Sequence, residues 1–276
     1  GRGGKMKTRI LTGTIGGLIF LFLLLKGGAL LAIAVGFLVA LGTWEISRLS
    51  QAAGIDINFP LILSFSLLFT FGQAIVLHYD LPVGNGELVG LFLVLILLFS
   101  FLSHLGKEIT QALLFSIFAN LFALVYPGIV FTYILLIRAF PAPFGWQILI
   151  FAFLVIWGTD TGAYFIGSAL GKNPLAPRIS PHKTIEGAMG GLLVGTVCGM
   201  VFGLIVKLPL LWVVGTSLLT SLMGQLGDLF ESFLKRTVEI KDSGSFLPGH
   251  GGVLDRFDSA LFALPLAFYL ALLIVS

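Results

Sequence analysis

The chain has 276 residues, of which 57% are hydrophobic and 11% charged, and its mean hydropathy is +1.06. Soluble domains carry about 45–50% apolar and about 25% charged residues, so this composition excludes a soluble enzyme and a secreted disulfide scaffold. The net charge of +3 is too small to indicate a nucleic-acid partner, and the single cysteine, Cys198, cannot form a disulfide within the chain.

Apolar stretches of membrane-spanning length follow one another along the chain. We assign residues 1–9 to an N-terminal tail, of which the part before Met6 has the composition of an expression remnant. A helix crosses a bilayer with about 20 residues. Stretches of that scale run over 10–25, 28–47, 60–78, 87–103, 108–138, 145–169, 185–206, 208–234 and 257–275. The sequence therefore predicts an all-α polytopic membrane protein with about nine transmembrane helices.

The fifth stretch, 108–138, has two interpretations. It forms either one long helix bent at Pro127 or a hairpin of two short spans. With one span, all but three of the 16 basic residues share one side of the membrane, the exceptions being Lys26, Arg138 and Lys207. Because basic residues favour the cytosolic side, we predict nine spans with a cytosolic N-terminus and an external C-terminus.

Charged residues concentrate in the segment 225–258, where an apolar helix continues into a polar face. Spacings of three and four residues place Asp228, Glu231, Ser232 and Lys235 on that face. A carboxylate this near a membrane is costly unless it is paired, hydrogen-bonded or bound to a metal. Two interpretations stay open, an internal ion pair between Glu231 and Lys235 or a functional site.

Two further carboxylates, Asp255 and Asp258, open the last apolar stretch. They lie near a helix start, where negative charge is favoured, so a capping arrangement is one interpretation. Together with Asp228 they would form a trio of hard oxygen ligands, which suits Mg²⁺ in combination with water and substrate phosphates. The pattern thus predicts a site at a membrane interface for one or two metal ions.

A glycine-containing segment connects these two acidic helices. It reads Lys241-Asp-Ser-Gly-Ser-Phe-Leu-Pro-Gly-His250-Gly251-Gly252. Glycines let backbone N–H groups approach an anion closely, and Lys241 and His250 add donors beside them. We expect a phosphate-binding nest here, with a tight turn between two helices as the alternative.

A second polar group precedes the acidic segment. Asp160 lies well inside the sixth apolar stretch, where an ionisable residue indicates a functional site, although an aspartate capped by Thr159 or Thr161 is the plain alternative. Lys183 follows on the predicted cytosolic side and is a candidate phosphate ligand, or it lies against anionic lipid. Arg178 is also a candidate, or it lies against anionic lipid, as does Lys172.

The segment from Ser232 to Asp258 resembles the signature of the phosphatidate cytidylyltransferases, also called CDP-diacylglycerol synthases. It reads Ser232-Phe-Leu-Lys-Arg-Thr-Val-Glu-Ile-Lys-Asp-Ser-Gly-Ser-Phe-Leu-Pro-Gly-His-Gly-Gly-Val-Leu-Asp-Arg-Phe-Asp258. The blocks around Asp160 and Lys183 are similar to the same family, so the resemblance covers about the C-terminal 120 residues. His182 stands where we expect a lysine or glycine, and no role is carried over to it. We accordingly divide the membrane region into N-terminal helices, 10–140, and a C-terminal catalytic region, 141–276.

The resemblance implies a Mg²⁺-dependent reaction of CTP with phosphatidic acid that gives CDP-diacylglycerol and pyrophosphate. It implies catalytic roles for six residues, with the three aspartates as metal ligands: Asp228, Lys235, Arg236, Lys241, Asp255 and Asp258. It implies substrate binding by seven more: Asp160, Lys183, Ser232, His250, Gly251, Gly252 and Arg256. We expect an integral protein of the cytoplasmic (inner) membrane with its active site facing the cytosol, and a homodimer stays open.

Two other functions remain as alternatives. A CTP-dependent lipid kinase of the polyprenol type would share the nucleotide and the membrane setting. An ion-coupled transporter would use Asp160 as its ion site, but transporters place charges near the bilayer midplane in related halves. Here the charges cluster at one interface in one half of the chain, which disfavours transport.

Overall fold

The computed structural model describes residues 16–240, 244 and 251–275. These residues are predominantly helical. The helices are α1 (Gly16–Lys26), α2 (Gly28–Ala52), α3 (Phe59–Tyr79), α4 (Asn85–Leu102), α5 (Gln111–Ala123), α6 (Tyr133–Arg138), α7 (Phe144–Leu170), α8 (Ile185–Ile205), α9 (Leu210–Thr237) and α10 (Leu254–Val275). Two short strands, β1 (Pro174–Ala176) and β2 (Ser180–Thr184), form an antiparallel hairpin between α7 and α8.

Eight helical segments in the described part of the chain are long and apolar enough to cross a membrane. They match the second to ninth predicted stretches, so the prediction of an all-α polytopic membrane protein is confirmed. The first predicted stretch, 10–25, begins outside the described residues, and α1 covers its second half. The hairpin was not predicted, because strands of three and five residues are too short to leave a periodic pattern in the sequence.

The segment Gln111–Arg138 is one candidate span rather than a hairpin of two. After α5 the chain passes through a π-helical turn, Leu124–Ile129, and a 3₁₀ turn, Val130–Thr132, before α6. Pro127 lies inside the π-helical turn. Because proline has no N–H and its ring crowds the preceding turn, the regular α-helical pattern is interrupted there without ending the helix. The one-span interpretation is therefore the right one.

The chain folds as two compact units, within Gly1–Leu135 with Thr237–Arg256 and within Leu136–Arg236 with Phe257–Ser276. In the first unit α2 packs on α3 and on the π-helical turn. The approach is close at Gly42 of α2, where a Cβ would lie 2.9 Å from the Cβ of Pro127 and 3.3 Å from the ring of Phe131. The side chains of Phe69, Ile96 and Leu124 form a buried cluster beside this contact.

In the second unit α7 and α8 pack through small residues. A Cβ on Gly162 would lie 2.6 Å from the Cβ of Val194, and one on Gly191 would lie 2.8 Å from the carbonyl oxygen of Thr159. Membrane helices associate by such close backbone packing, since lipid offers no hydrophobic driving force between them. These glycines therefore fix the distance between α7 and α8.

Inside the second unit a hydrogen bond and an aromatic contact join α9 to α10. The indole Nε1 of Trp212 donates to the carbonyl of Leu270 at 2.7 Å, and the rings of Phe230 and Phe262 lie 5.3 Å apart. At Gly227 the backbone of α9 lies directly against the carbonyl of Asp258, where a Cβ would overlap that oxygen. The backbone of Asp258 in α10 is thus held against α9.

Candidate functional site

A cavity of about 530 Å³ opens in the second unit between α7, the hairpin, α8 and α9. Its charged lining is Asp160 from α7, Lys183 from β2 and Asp228 from α9, while Tyr164 and His182 add rings. Three residues singled out in separate parts of the sequence therefore line one space. Their closeness is a tertiary result, since more than 60 positions separate Asp160 from Asp228 along the chain.

The shortest charged contact in the cavity joins Lys183 and Asp228. The Nζ atom lies 2.6 Å from Oδ2, and the two side chains are 28% and 32% exposed. The next residue, Thr184, caps α8 by accepting a hydrogen bond from the Gly187 N–H at 3.1 Å. Thr184 is both the last residue of β2 and the N-cap of α8. Lys183 is therefore held next to the N-terminus of α8, and its side chain faces α9.

The base of the hairpin is tied to α8 by Glu186, which was not singled out from the sequence. Its carboxylate accepts hydrogen bonds from the backbone N–H groups of Lys172 at 3.0 Å and Asn173 at 3.2 Å. The Asn173 side-chain amide donates a third at 2.7 Å. The sequence signal that could have identified Glu186 is an acidic residue in the first turn of an apolar helix. Glu186 thereby orients the strand that carries Lys183.

Carboxylates from two other helices of the second unit lie within electrostatic range of Asp258. Asp258, in the second turn of α10, lies within electrostatic range of Asp228, Glu231 and Asp160. Its Oδ1 accepts a hydrogen bond from the N–H of Ser259 at 2.7 Å. Such a concentration of like charge requires cations nearby. Lys183 supplies one of them to Asp228.

The predicted ion pair on α9 is present. Glu231 is buried, with 1% of its side chain exposed, and it pairs with Lys235 one turn later. The pairing interpretation is therefore confirmed for these two residues, and contact of Lys235 with a phosphate stays a prediction. Ser232 lies partly buried on the same helix.

Arg236 reaches the hairpin from the end of α9. Its Nε donates a hydrogen bond to the carbonyl of Ile179 at 3.2 Å. Ile179 lies in the turn immediately before β2, so a cation of the predicted signature contacts the hairpin that presents Lys183. Arg178, beside it, is exposed.

In the first unit the signature segment makes a tight turn directly before α10. The N–H of Gly252 donates to Oδ2 of Asp255 at 2.7 Å, so Asp255 caps this turn as the alternative interpretation expected. Gly251 has a φ of 80°, a left-handed conformation that favours glycine. Arg256 is exposed. Lys241 and His250, and with them most of the predicted nest, lie outside the described residues.

No group of three or more His, Cys, Asp or Glu side chains able to hold a metal ion is present within 16–240, 244 and 251–275. Metal binding by Asp228, Asp255 and Asp258 therefore stays a prediction. Mg²⁺ is commonly held by one or two carboxylates together with water and substrate phosphates rather than by a complete protein cage.

Glu45 of α2 is a second residue that was not singled out from the sequence. It is completely buried in the first unit and accepts hydrogen bonds from the N–H groups of Val253 and Leu254 at the start of α10. A carboxylate inside a predicted membrane span was the signal that could have found it. The N-terminal helices therefore contact the signature segment directly.

Comparison with known proteins extends the similarity beyond the C-terminal signature. The sequence model of the cytidylyltransferase family matches residues 7–274. The phosphatidate cytidylyltransferase of Bacillus subtilis (strain 168) is 37% identical over 269 residues, which cover 96% of this chain and 97% of that protein. Proteins of the same name from Staphylococcus epidermidis and Staphylococcus aureus are 39% and 37% identical over 266 residues, covering 95% of this chain and 97% of each relative.

The match includes the N-terminal helices, which lie outside the C-terminal residues that carry the resemblance. The expected family is confirmed by this coverage, and the expectation that the resemblance is confined to about the C-terminal 120 residues is wrong. The fold agrees, since the described helices are those of an integral membrane protein, and a cavity in the second unit is lined by Asp160, Lys183 and Asp228. The chain therefore belongs to the cytidylyltransferase family.

Proposed function

We propose that the protein transfers the cytidylyl group of CTP to phosphatidic acid, giving CDP-diacylglycerol and pyrophosphate. The single observation that carries this proposal is the cavity of the second unit, where Lys183 pairs with Asp228 near the start of α8. A water-soluble nucleotide and the phosphate of a membrane lipid can meet at such a helix end. The names of the relatives support the choice of substrates.

The reaction requires stabilisation of negative charge rather than a strong general base. A phosphate oxygen of phosphatidic acid forms a new bond to the α-phosphorus of CTP, while the bond from that phosphorus to the bridging oxygen breaks and pyrophosphate leaves with the electron pair. The attacking phosphate is already anionic near neutral pH. The protein's task is therefore to bring two anionic groups together and to stabilise the charge that shifts to the leaving group.

Lys183 and Arg236 are the cations best placed for this task in the second unit. Lys183 lines the cavity, and Arg236 contacts the hairpin from which Lys183 projects. A phosphate entering the cavity would share Lys183 with Asp228. We infer that Lys183 binds a phosphate of the nucleotide and that Arg236 keeps the hairpin in position.

The acidic residues fit a hard divalent cation. Asp228 and Asp258 come from facing helices and offer only carboxylate oxygens, the donor type that Mg²⁺ prefers. We propose that they hold Mg²⁺ together with Asp255, which the sequence places one turn before Asp258. Mg²⁺, when bound, neutralises phosphate charge in this kind of reaction.

We further propose that the cavity faces the cytosol. The support is the distribution of basic residues, since Lys172, Arg178 and Lys183 fall on the same predicted side as the basic end of α9. Cytosolic CTP would then reach the site without crossing the membrane.

The decisive experiment follows the label of CTP into lipid. Purified protein in liposomes receives CTP labelled at the α or the γ phosphate, with phosphatidic acid or a polyprenol as acceptor. We expect label in the organic phase only from α-labelled CTP with phosphatidic acid, and one pyrophosphate per product. Label from the γ position would refute the proposal in favour of a lipid kinase, and ion flux without either product would refute it in favour of a transporter.

Matched variants connect the activity to the site. Asp228→Asn should lower transfer by about 100-fold or more, as expected for loss of a charge-stabilising group. Asp56→Asn changes an exposed acid in the loop between α2 and α3 and should keep full activity. Equal activity of Asp228→Asn and Asp56→Asn would contradict the assignment of the site.

Light scattering on the same samples shows whether two copies assemble as a homodimer.

A further inference from the structure

Glu45 contacts the signature segment of the first unit at two places. Its Oε1 accepts a hydrogen bond from the Val253 N–H at 2.7 Å, and its Oε2 accepts one from the Leu254 N–H at 2.8 Å. The backbone of Gly244 lies on the same carboxylate, since a Cβ there would fall 2.6 Å from Oε1. One acid from the N-terminal part of the chain thus holds both the loop before α10 and the start of α10.

The location explains why a charged residue is tolerated inside an apolar helix. The first N–H groups of a helix have no acceptor within it, and the helix dipole makes this end partially positive. A carboxylate that accepts two such N–H groups forms charge-assisted hydrogen bonds, which offset the unfavourable burial of Glu45. The orientation of the first turn of α10 consequently depends on Glu45.

We propose that Glu45 is a positioning residue for the reaction. Asp255 lies in the first turn of α10, directly after Val253 and Leu254, so a shift at these two residues moves the Asp255 carboxylate. Glu45 itself is completely buried, so we assign it a role through α10 and not through contact with substrate. This inference rests on the proposed function, because it assigns Glu45 a part in cytidylyl transfer and not only in stability.

The test replaces Glu45 with glutamine, which has the same shape. The amide presents an NH₂ group where one carboxylate oxygen had accepted a backbone N–H, so two donors face each other. We expect kcat to fall by about 10–100-fold, the range found when a residue supporting a ligand is lost. We also expect a higher Mg²⁺ concentration for half-maximal activity and a smaller rise in Tm on adding Mg²⁺.

A readout that does not depend on turnover is hydrogen exchange at the start of α10. In Glu45→Gln the amides of residues 253–256 should exchange at least about 10-fold faster than in the unchanged protein. Val39→Ala is the matched control, because Val39 is also completely buried in α2 and its truncation lowers Tm. This control should leave kcat and the exchange of residues 253–256 within about two-fold.

Gly244→Ala perturbs the same contact without changing Glu45. Its methyl group would press on Oε1, so we expect the same fall in kcat and the same faster exchange. If Glu45→Gln cannot be purified as a folded protein, this variant decides the question. If Gly244→Ala changes neither kcat nor the hydrogen exchange of residues 253–256, the proposal is wrong.

The outcomes separate the two proposals. If the wild-type protein transfers no label from CTP, the proposed function is refuted. The exchange data would in that case still report whether Glu45 holds the start of α10. An active protein whose Glu45→Gln variant has a lower Tm but normal kcat and normal Mg²⁺ dependence would show that Glu45 acts on stability alone, and the positioning role would be wrong.

Discussion

The contact between α7 and α8 permits a quantitative prediction from a single added methyl group. In Gly162→Ala the new Cβ would lie 2.6 Å from the Cβ of Val194 and 2.9 Å from the carbonyl oxygen of Gly190, where ordinary contacts are 3.4–4 Å. Neither neighbouring atom can move by rotating a side chain. Helices α7 and α8 must therefore separate by about 1 Å, and overpacking of this kind costs about 1–3 kcal/mol.

Gly215→Ala is the matched control in the same unit. Gly215 lies inside α9, and a Cβ there meets no atom within 4 Å. Both variants gain about 1 kcal/mol of helix propensity from the replacement of glycine by alanine. The difference between the two variants therefore isolates the steric term at Gly162.

The assay is thermal unfolding in detergent with cytidylyl transfer measured on the same samples. A difference of 1–3 kcal/mol separates the two Tm values by roughly 2–12 °C, at about 2–4 °C per kcal/mol for a protein of this size class. Transfer should also fall in Gly162→Ala, because Ala163 and Gly187 of the same two helices line the cavity. Equal Tm values for the two variants would refute the close packing of α7 on α8.

Three further predictions test the site and the fold. Lys183→Met should raise the KM for CTP at least about 10-fold, whereas Lys172→Met, at the exposed base of the hairpin, should change it less than two-fold; equal effects would contradict the role of Lys183. Trp212→Phe removes one hydrogen bond and should cost about 1 kcal/mol, seen as a Tm lower by roughly 2–4 °C, so an unchanged Tm would count against this contact. A cysteine at Asn173 in a Cys198→Ala background should react with an impermeant thiol reagent only from the cytosolic face, and labelling from outside would refute the predicted topology.

The membrane spans were predictable because length and hydropathy are local properties. The stretch 108–138 was the difficult case, and the charge asymmetry gave the right answer although Pro127 suggested a break. The ion pair between Glu231 and Lys235 was predictable for the same reason, since residues four apart on a helix face each other.

Contacts between distant parts of the chain were not predictable in this way. Nothing in the spacing indicates that Asp160 shares a cavity with Lys183, because that contact depends on the glycines that bring α7 and α8 together. The hairpin was missed since its strands are only three and five residues long. Glu45 was missed because its partners are backbone N–H groups, which carry no residue-specific signal in a sequence.

The hydrogen bonds of Glu45 also join a residue that is translated early to residues that are translated late. Glu45 and Val253 lie 208 positions apart. At a synthesis rate of about 5–20 residues per second, the ribosome makes α10 about 10–40 s after α2. During that interval α2 enters the bilayer with an acidic side chain whose two N–H donors have not yet been translated. A nascent chain that stalls before Val253 would therefore keep the Glu45 carboxylate in the membrane without these two hydrogen bonds.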